Sequence, residues 1–241
     1  MLTDAAVVVE GEVSSFSIIL VDTASGRRTI LYSPNVNAHM CDPVFARDIL
    51  RRSSWLFLNH LSDVSCVILD DCLDIVAKPG GLKFAWNPGG SQIRAGYAEP
   101  LTGKLLKQTD ILFLNAEEAR TFTKEEAVHD ALRICINAGT KIMCITDGAN
   151  GAFLSDGTSV WRCRHGSPIE VVDTTGAGDA FAVGVTWGVW RGLTLPACLQ
   201  AGMINAASVI AYVGTQAGLL TETEIRQRLS TADLPVTTSS L

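Results

Sequence analysis

The residues whose types and spacing could do chemistry are concentrated in one run, Val171-Val172-Asp173-Thr174-Thr175-Gly176-Ala177-Gly178-Asp179-Ala180-Phe181. Small residues let a backbone come close to a ligand. The apolar stretch that follows predicts a helix from Gly178 to Arg191, so the N–H groups of its first turn are unpaired and lie at the positive end of the helix dipole. Gly176, Ala177 and Gly178 are therefore expected to form an anion cradle, suited to the charge on a transferring phosphoryl group. Asp179 falls at the rim of that cradle, where an ionised carboxylate can accept the proton of an attacking hydroxyl. Because phosphoryl transfer is commonly loose, such a base mainly orients its nucleophile.

Other elements must hold this loop in place. Ala5 to Val9, Phe16 to Val21 and Arg27 to Tyr32 are β-rich runs, the last two separated by Ser25-Gly26, and they predict a small antiparallel sheet. Asp42-Pro43 predicts a helix start that takes in Val44, Phe45, Ile49 and Leu50. Strands are expected at Trp55 to Leu58, Leu82 to Trp86, Ile111 to Leu114 and Lys141 to Thr146. Helical patterns separate them, over Val64 to Val76 up to a stop at Pro79-Gly80-Gly81 and over Lys124 to Asn137. A hairpin over Phe153 to Trp161 turns at Asp156-Gly157, and helices follow at Gly178 to Arg191, Leu195 to Tyr212 and Glu222 to Leu229. The Ser/Thr-rich end from Ser230 to Leu241 reads as loose. This alternation predicts a mostly parallel sheet covered on both faces, with ligands at the carboxyl ends of its strands.

A chain of 241 residues, 47% hydrophobic and 18% charged, is expected to fold as one main domain. A net charge of −6 with no basic run argues against nucleic acid as a partner. The longest apolar stretch, Phe181 to Trp190, is shorter than the ~18 residues a membrane span requires. The first residues lack the basic start of a secretory signal, which makes the cytoplasm the expected location. Seven scattered cysteines without a Cys-x-x-Cys pair read as reduced thiols filling the core. P-loop, protein-kinase and Rossmann readings drop out. There is no Gly-x-x-x-x-Gly-Lys-Ser/Thr and no His-Arg-Asp, and Phe181 stands where a third glycine would follow Gly176 and Gly178.

The Asp173 to Phe181 run is nearly the C-terminal signature of the ribokinase-like, or PfkB, carbohydrate kinases, and the chain resembles that family over almost its whole length. The resemblance implies a ribokinase-like three-layer α/β sandwich, one kinase domain over residues 1–241 with lid strands within 5–32. It implies ATP with Mg²⁺, and K⁺ as in many members. Asn115-Ala116-Glu117-Glu118 is similar to the family's Asn-x-x-Glu motif, where Glu118 would organise the water shell of Mg²⁺. Thr146-Asp147-Gly148-Ala149-Asn150-Gly151 resembles its Thr-x-Gly-x-x-Gly nucleotide loop, and Asn205 falls where an Asn lines the nucleotide pocket. Asp173 and the Thr175 carbonyl, with Ala211 to Ala217, correspond to a monovalent-cation loop, although Tyr212-Val213-Gly214-Thr215-Gln216 departs from the ribokinase pattern. Asn87-Pro88-Gly89 looks like the family's Asn-Pro turn after a strand.

Family members normally begin with further βα units carrying a substrate-binding Asp and a Gly-Gly motif. The expectation is therefore an N-terminally truncated domain that binds nucleotide and phosphorylates free acceptors poorly. His39, His60, Asn35 and Asn37 are the polar residues that could face a substrate. The implied reaction is ATP-dependent phosphorylation of a hydroxyl on a sugar or related small molecule. A nucleoside kinase and a nucleotide-binding fragment without turnover remain open beside it. A homodimer through the lid strands is the assembly the resemblance suggests.

Overall fold

The computed structural model of the chain describes residues 8–21, 28–33, 35, 47–59, 67–78 and 82–241. His39, His60, Asn37, the Ser25-Gly26 turn, the Asp42-Pro43 helix start and the Pro79-Gly80-Gly81 stop lie outside the described residues, as does most of the Ala5 to Val9 run.

Apolar residues at every second position dictate the central layer. In the strand Ile111–Asn115 (β5), Leu112 and Leu114 enter one core while Ile111 and Phe113 enter the other, and Met143 and Ile145 oppose Cys144 in the same way within Ile142–Thr146 (β6). A strand that is apolar on both faces must be covered on both. Among the described residues it stands in a seven-stranded sheet ordered β3 (Trp55–Leu58), β4 (Lys83–Trp86), β5, β6, β7 (Ala152–Ser155), β8 (Ser159–Cys163) and β9 (Val236–Ser240). The pairs from β3 to β6 are parallel, and those from β6 to β9 antiparallel.

The parallel strands follow one another in the same direction across the sheet, so right-handed crossovers stack their helices on one face. There α1 (Arg47–Arg51), α2 (Val67–Val76), α3 (Gly90–Ala95), α4 (Pro100–Gln108), α5 (Ala116–Thr123) and α6 (Val128–Asn137) bury Leu50, Leu69, Ile93, Leu106, Phe122 and Leu132 respectively. The opposite face is covered by α7 (Ala177–Trp190) and α8 (Leu195–Val209), with Phe181, Val185, Leu199 and Ile204 in that core, and α9 (Glu222–Leu229) follows. This is the three-layer α/β sandwich expected. A separate antiparallel hairpin, β1 (Phe16–Val21) and β2 (Arg28–Ser33), runs from Phe16↔Ser33 to Val21↔Arg28.

Helices α7 and α8 approach closely because glycines line their contact. A Cβ on Gly184 would stand 2.7 Å from the Ala201 carbonyl oxygen, and one on Gly202 would stand 2.7 Å from Val185 and 2.8 Å from Phe181. That packing sets where the first turn of α7 lies.

The tail differs from the sequence expectation. Instead of being loose, residues 236–240 add a strand to β8, pairing Cys163 with Val236 and Ser159 with Ser240. An unpaired β8 edge offers backbone groups that Val and Thr, good strand formers, can satisfy. The helices α3, α4 and α5 were not anticipated. The first two carry Gly90, Pro100 and Gly103, residues that weaken a helical pattern, and α5 is cut off by Lys124 in the left-handed conformation (φ 66°). Cys72, Cys135, Cys144, Cys163 and Cys198 are free and buried. Burial pushes the Cys72 and Cys135 thiols up to about 12, which makes them fillers rather than nucleophiles.

Candidate active site

Four strands in a row end on polar side chains. Asn59 follows β3, Asn87 follows β4, Asn115 closes β5 and Thr146 closes β6. Across the sheet from them, α7 begins. Gly176, the residue before it, has φ +81°, a left-handed conformation that side chains resist, and a Cβ there would crowd Thr215 at 3.1 Å. The Ala177 N–H reaches the Thr174 carbonyl at 3.3 Å, but among the described residues no backbone acceptor meets the N–H groups of Gly178 and Asp179. A Cβ on Gly178 would meet nothing within 4 Å, so the space in front of that turn is open.

Two cavities adjoin there and share Thr146, Thr174, Gly178 and Phe181. The smaller, about 270 Å³, brings together Asn115, Glu118, Thr175, Gly176 and Asp179, and Ile19 of the hairpin lines it too. The larger, about 630 Å³, has Gly148, Gly151 and Ala177 on its rim and Pro168, Ile169, Met203, Ala207 and Ile210 as an apolar wall. Burial holds the His165 imidazole in that wall below its ordinary value, so it presents a neutral ring at pH 7. Phe181 rests edge-on against Phe113 at 6.3 Å, and Phe113 stacks with Phe57 at 6.1 Å, an aromatic floor beneath the first turn of α7.

Asn115 and Glu118 form a capping box at the start of α5. The Asn115 N–H donates to Glu118 Oε2 at 2.8 Å and the Glu118 N–H donates to Asn115 Oδ1 at 2.8 Å. Burial pushes the half-buried Glu118 carboxyl above its ordinary value; the Asn115 N–H pulls it down, while the negative charges of Glu117 and Asp179 push it further up. Asp179 is exposed, and the amide of Asn59 donates to its Oδ1 at 3.3 Å. Two carboxylates facing one cavity suit a divalent cation. No cluster of three or more His, Cys, Asp or Glu among the described residues could cage one, so these two carboxylates would suit an ion that takes its other ligands from phosphate oxygens and water.

Asp173 braces the loop. Its Oδ1 accepts from the Thr175 N–H (2.9 Å) and hydroxyl (2.7 Å), and its Oδ2 accepts from the Gly214 N–H (3.0 Å), which brings residues 173–175 and 211–217 together. Asn205, expected beside a nucleotide, is not among the residues lining the larger cavity. It is buried at 2% exposure, where its amide donates to the Ala180 carbonyl at 2.8 Å and its Oδ1 accepts from the Leu220 N–H at 3.2 Å. Its neighbours Met203, Ala206 and Ala207 line the cavity instead, because α8 turns that face outward. Gly151 is required by the fold: at φ +94° its Cβ would stand 2.1 Å from the Cys163 carbonyl oxygen. Asn35 lines neither cavity; it accepts from the Ser33 hydroxyl and donates to the Ser14 carbonyl. Asn59 was missed by the sequence reading, although a polar residue directly after a parallel strand is the signal that would have found it.

The pfkB family carbohydrate kinase model matches residues 3–222, and the chain belongs to that family, whose members are phosphotransferases that use ATP with Mg²⁺. An uncharacterized sugar kinase of Archaeoglobus fulgidus is 31% identical over 221 residues, 90% of this chain and 84% of that protein. A cytidine kinase of Thermococcus kodakarensis is 37% identical over 115 residues, which span 47% of this chain and only 41% of that enzyme. Among solved structures, the Arabidopsis thaliana ribokinase complexed with ribose and ATP superposes with a TM-score of 0.74 at 21% identity, covering 92% of this chain and 71% of that one. The fold is therefore ribokinase-like. No helix among the described residues is long and apolar enough to cross a membrane.

Proposed function

We propose that the chain transfers the γ-phosphoryl group of ATP to a hydroxyl of a sugar or related small molecule, with Asp179 as the base and Gly176, Ala177 and Gly178 as the anion hole. The observation that carries the reading is the open first turn of α7. Its unpaired Gly178 and Asp179 N–H groups and the Asp179 carboxylate meet at the seam of two cavities. The larger, apolar cavity suits a nucleobase and ribose, with Thr146 and Gly148 beside the phosphates, while the smaller one holds the acceptor hydroxyl under Ile19.

In the reaction the acceptor oxygen bonds to the γ-phosphorus, the bond from that phosphorus to the β–γ bridging oxygen breaks, ADP leaves, and the acceptor proton passes to Asp179. Mg²⁺, when bound, neutralises charge on the β- and γ-phosphates. Glu118 would orient the ion's water, and the Asp173–Thr175 loop would offer a monovalent cation oxygen atoms beside the anion hole. A nucleoside acceptor is the second reading, favoured by the identity to cytidine kinase. The outward side chains of β1 and β2, Phe16, Ile18, Leu20 and Leu31, are exposed and would let a second copy pair through the lid. The reading places the work in the cytoplasm, where ATP is abundant.

The purified chain is assayed with Mg²⁺–ATP against a panel of sugars and nucleosides. Acceptor-dependent ADP release above the acceptor-free rate is expected for one class, slower than the about 1–100 s⁻¹ of ordinary kinases. Asp179→Asn should lower it by about 10²–10⁴-fold with calorimetric ATP affinity nearly unchanged, because a positioned base acts in the transition state. Heat of ATP binding without turnover of any acceptor would make this a nucleotide-binding protein and overturn the kinase reading.

A further inference from the structure

Asn59 reaches Asp179 across 120 positions of sequence, from the carboxyl end of β3 to the first turn of α7. An ionised carboxylate only accepts hydrogen bonds, so it is the amide nitrogen, not the amide oxygen, that faces it. The contact occupies Oδ1 of Asp179. Asn59 also lines a third cavity, about 480 Å³, together with Asn87, Asn115 and Glu118, and these three line the smaller site cavity as well. None of its lining residues is shared with the larger, apolar cavity.

Asp179 is exposed and sits beside the like charge of Glu118, so packing alone does not set the rotation of its carboxylate. A base whose main task is to orient a nucleophile needs that rotation defined. We propose that Asn59 is a positioning residue for phosphoryl transfer: its amide holds Oδ1 of Asp179 and so presents Oδ2 to the acceptor hydroxyl. The proposal rests on the reading of Asp179 as base. The acceptor O–H bond breaks and its proton moves to Oδ2. The freed electron pair forms the bond to the γ-phosphorus as the bond to the β–γ bridging oxygen breaks, and ADP departs with that pair. The other charged groups on the walls around this pair are Glu117 and Glu118 of α5 and Arg94 of α3.

Asn59→Ala should lower kcat roughly tenfold to a hundredfold, as small misplacements at a reacting centre do, and leave KM for ATP unchanged. Asn59→Asp, which adds a like charge, should lower kcat further, and Asn59→Ser, which keeps a donor, should recover part of kcat. In the Asp179→Asn background, Asn59→Ala should change nothing more. An equal loss in both backgrounds, or a raised acceptor KM with kcat intact, would show that Asn59 acts on the acceptor or the fold and would overturn the proposal. If Asp179→Asn itself turns over normally, the base reading fails and takes this one with it. If Asp179→Asn is inactive but Asn59→Ala keeps the wild-type kcat, positioning alone fails.

Discussion

The first turn of α7 and the β1–β2 hairpin face the same small cavity, but they are held in different ways. Behind Asp179, α7 is locked to α8 through glycines whose Cβ atoms would collide with the facing helix, and Phe181 seats it on Phe113. The hairpin places Ile19 at the cavity while Phe16, Ile18, Leu20 and Leu31 stay exposed. A two-stranded hairpin by itself is marginally stable. Under the proposed phosphoryl transfer the difference would match two demands. Dipoles that meet developing charge must already be in place, whereas a cover over an acceptor must admit and release it.

Gly184→Ala and Gly178→Ala separate fold from site most sharply. The first forces a methyl against the Ala201 backbone at 2.7 Å, and overpacking of that kind should cost about 3 kcal/mol, roughly 10 °C in a thermal melt. The second adds a methyl where nothing lies within 4 Å, so the melt should hold or rise slightly through helix propensity while turnover falls because the cradle is filled. Equal melting losses in the two variants would dissolve the distinction.

Asn205→Ala is next in size. It leaves the Ala180 carbonyl and the Leu220 N–H without their partner, which should cost about 1–3 kcal/mol with ATP affinity little altered by calorimetry. A weaker ATP affinity without lost stability would return Asn205 to the pocket. In the hairpin, Ile19→Ser should change stability by less than about 0.5 kcal/mol, as for exposed positions generally, yet raise the acceptor KM severalfold and leave ATP binding alone. A large melting loss there would mean that the lid is as tightly built as α7.

The smallest effect is electrostatic. Because the Glu118 carboxyl is held above its ordinary value, the folded state binds more protons than the unfolded chain just above that value. Stability of the nucleotide-free protein is therefore lost as pH rises through this window. Glu118→Gln keeps the capping acceptor and removes the charge, so it should melt slightly higher than wild type at neutral pH, with the gap closing below about pH 4. Melts across pH with and without Mg²⁺–ATP check this, and the variant should gain less from the nucleotide.

Local chemistry carries far in this chain. Short apolar runs between helical and turn signals located β3 to β8, and the small residues Gly176 to Gly178 before an apolar stretch located the start of α7 to within one residue. Asn115, Glu118, Thr146 and Gly148 were named from order and spacing, and the fold sets all four on the walls of the two cavities. Those features were legible because a strand's alternation and a helix's start depend on neighbours a few residues away.

What the sequence by itself determined, then, was the parallel core and the small-residue turn that opens α7 with Asp179 in it. The tertiary structure decided the rest: that residues 236–240 become a strand, which requires a vacant β8 edge; that Asn205 turns inward to Ala180 and Leu220; and that Asn59 meets Asp179. The physical reason is the same in each case. A side chain's hydrogen-bond partner, or an edge's pairing strand, is chosen by which distant backbone the packing brings within reach, and local propensity carries no information about that distance.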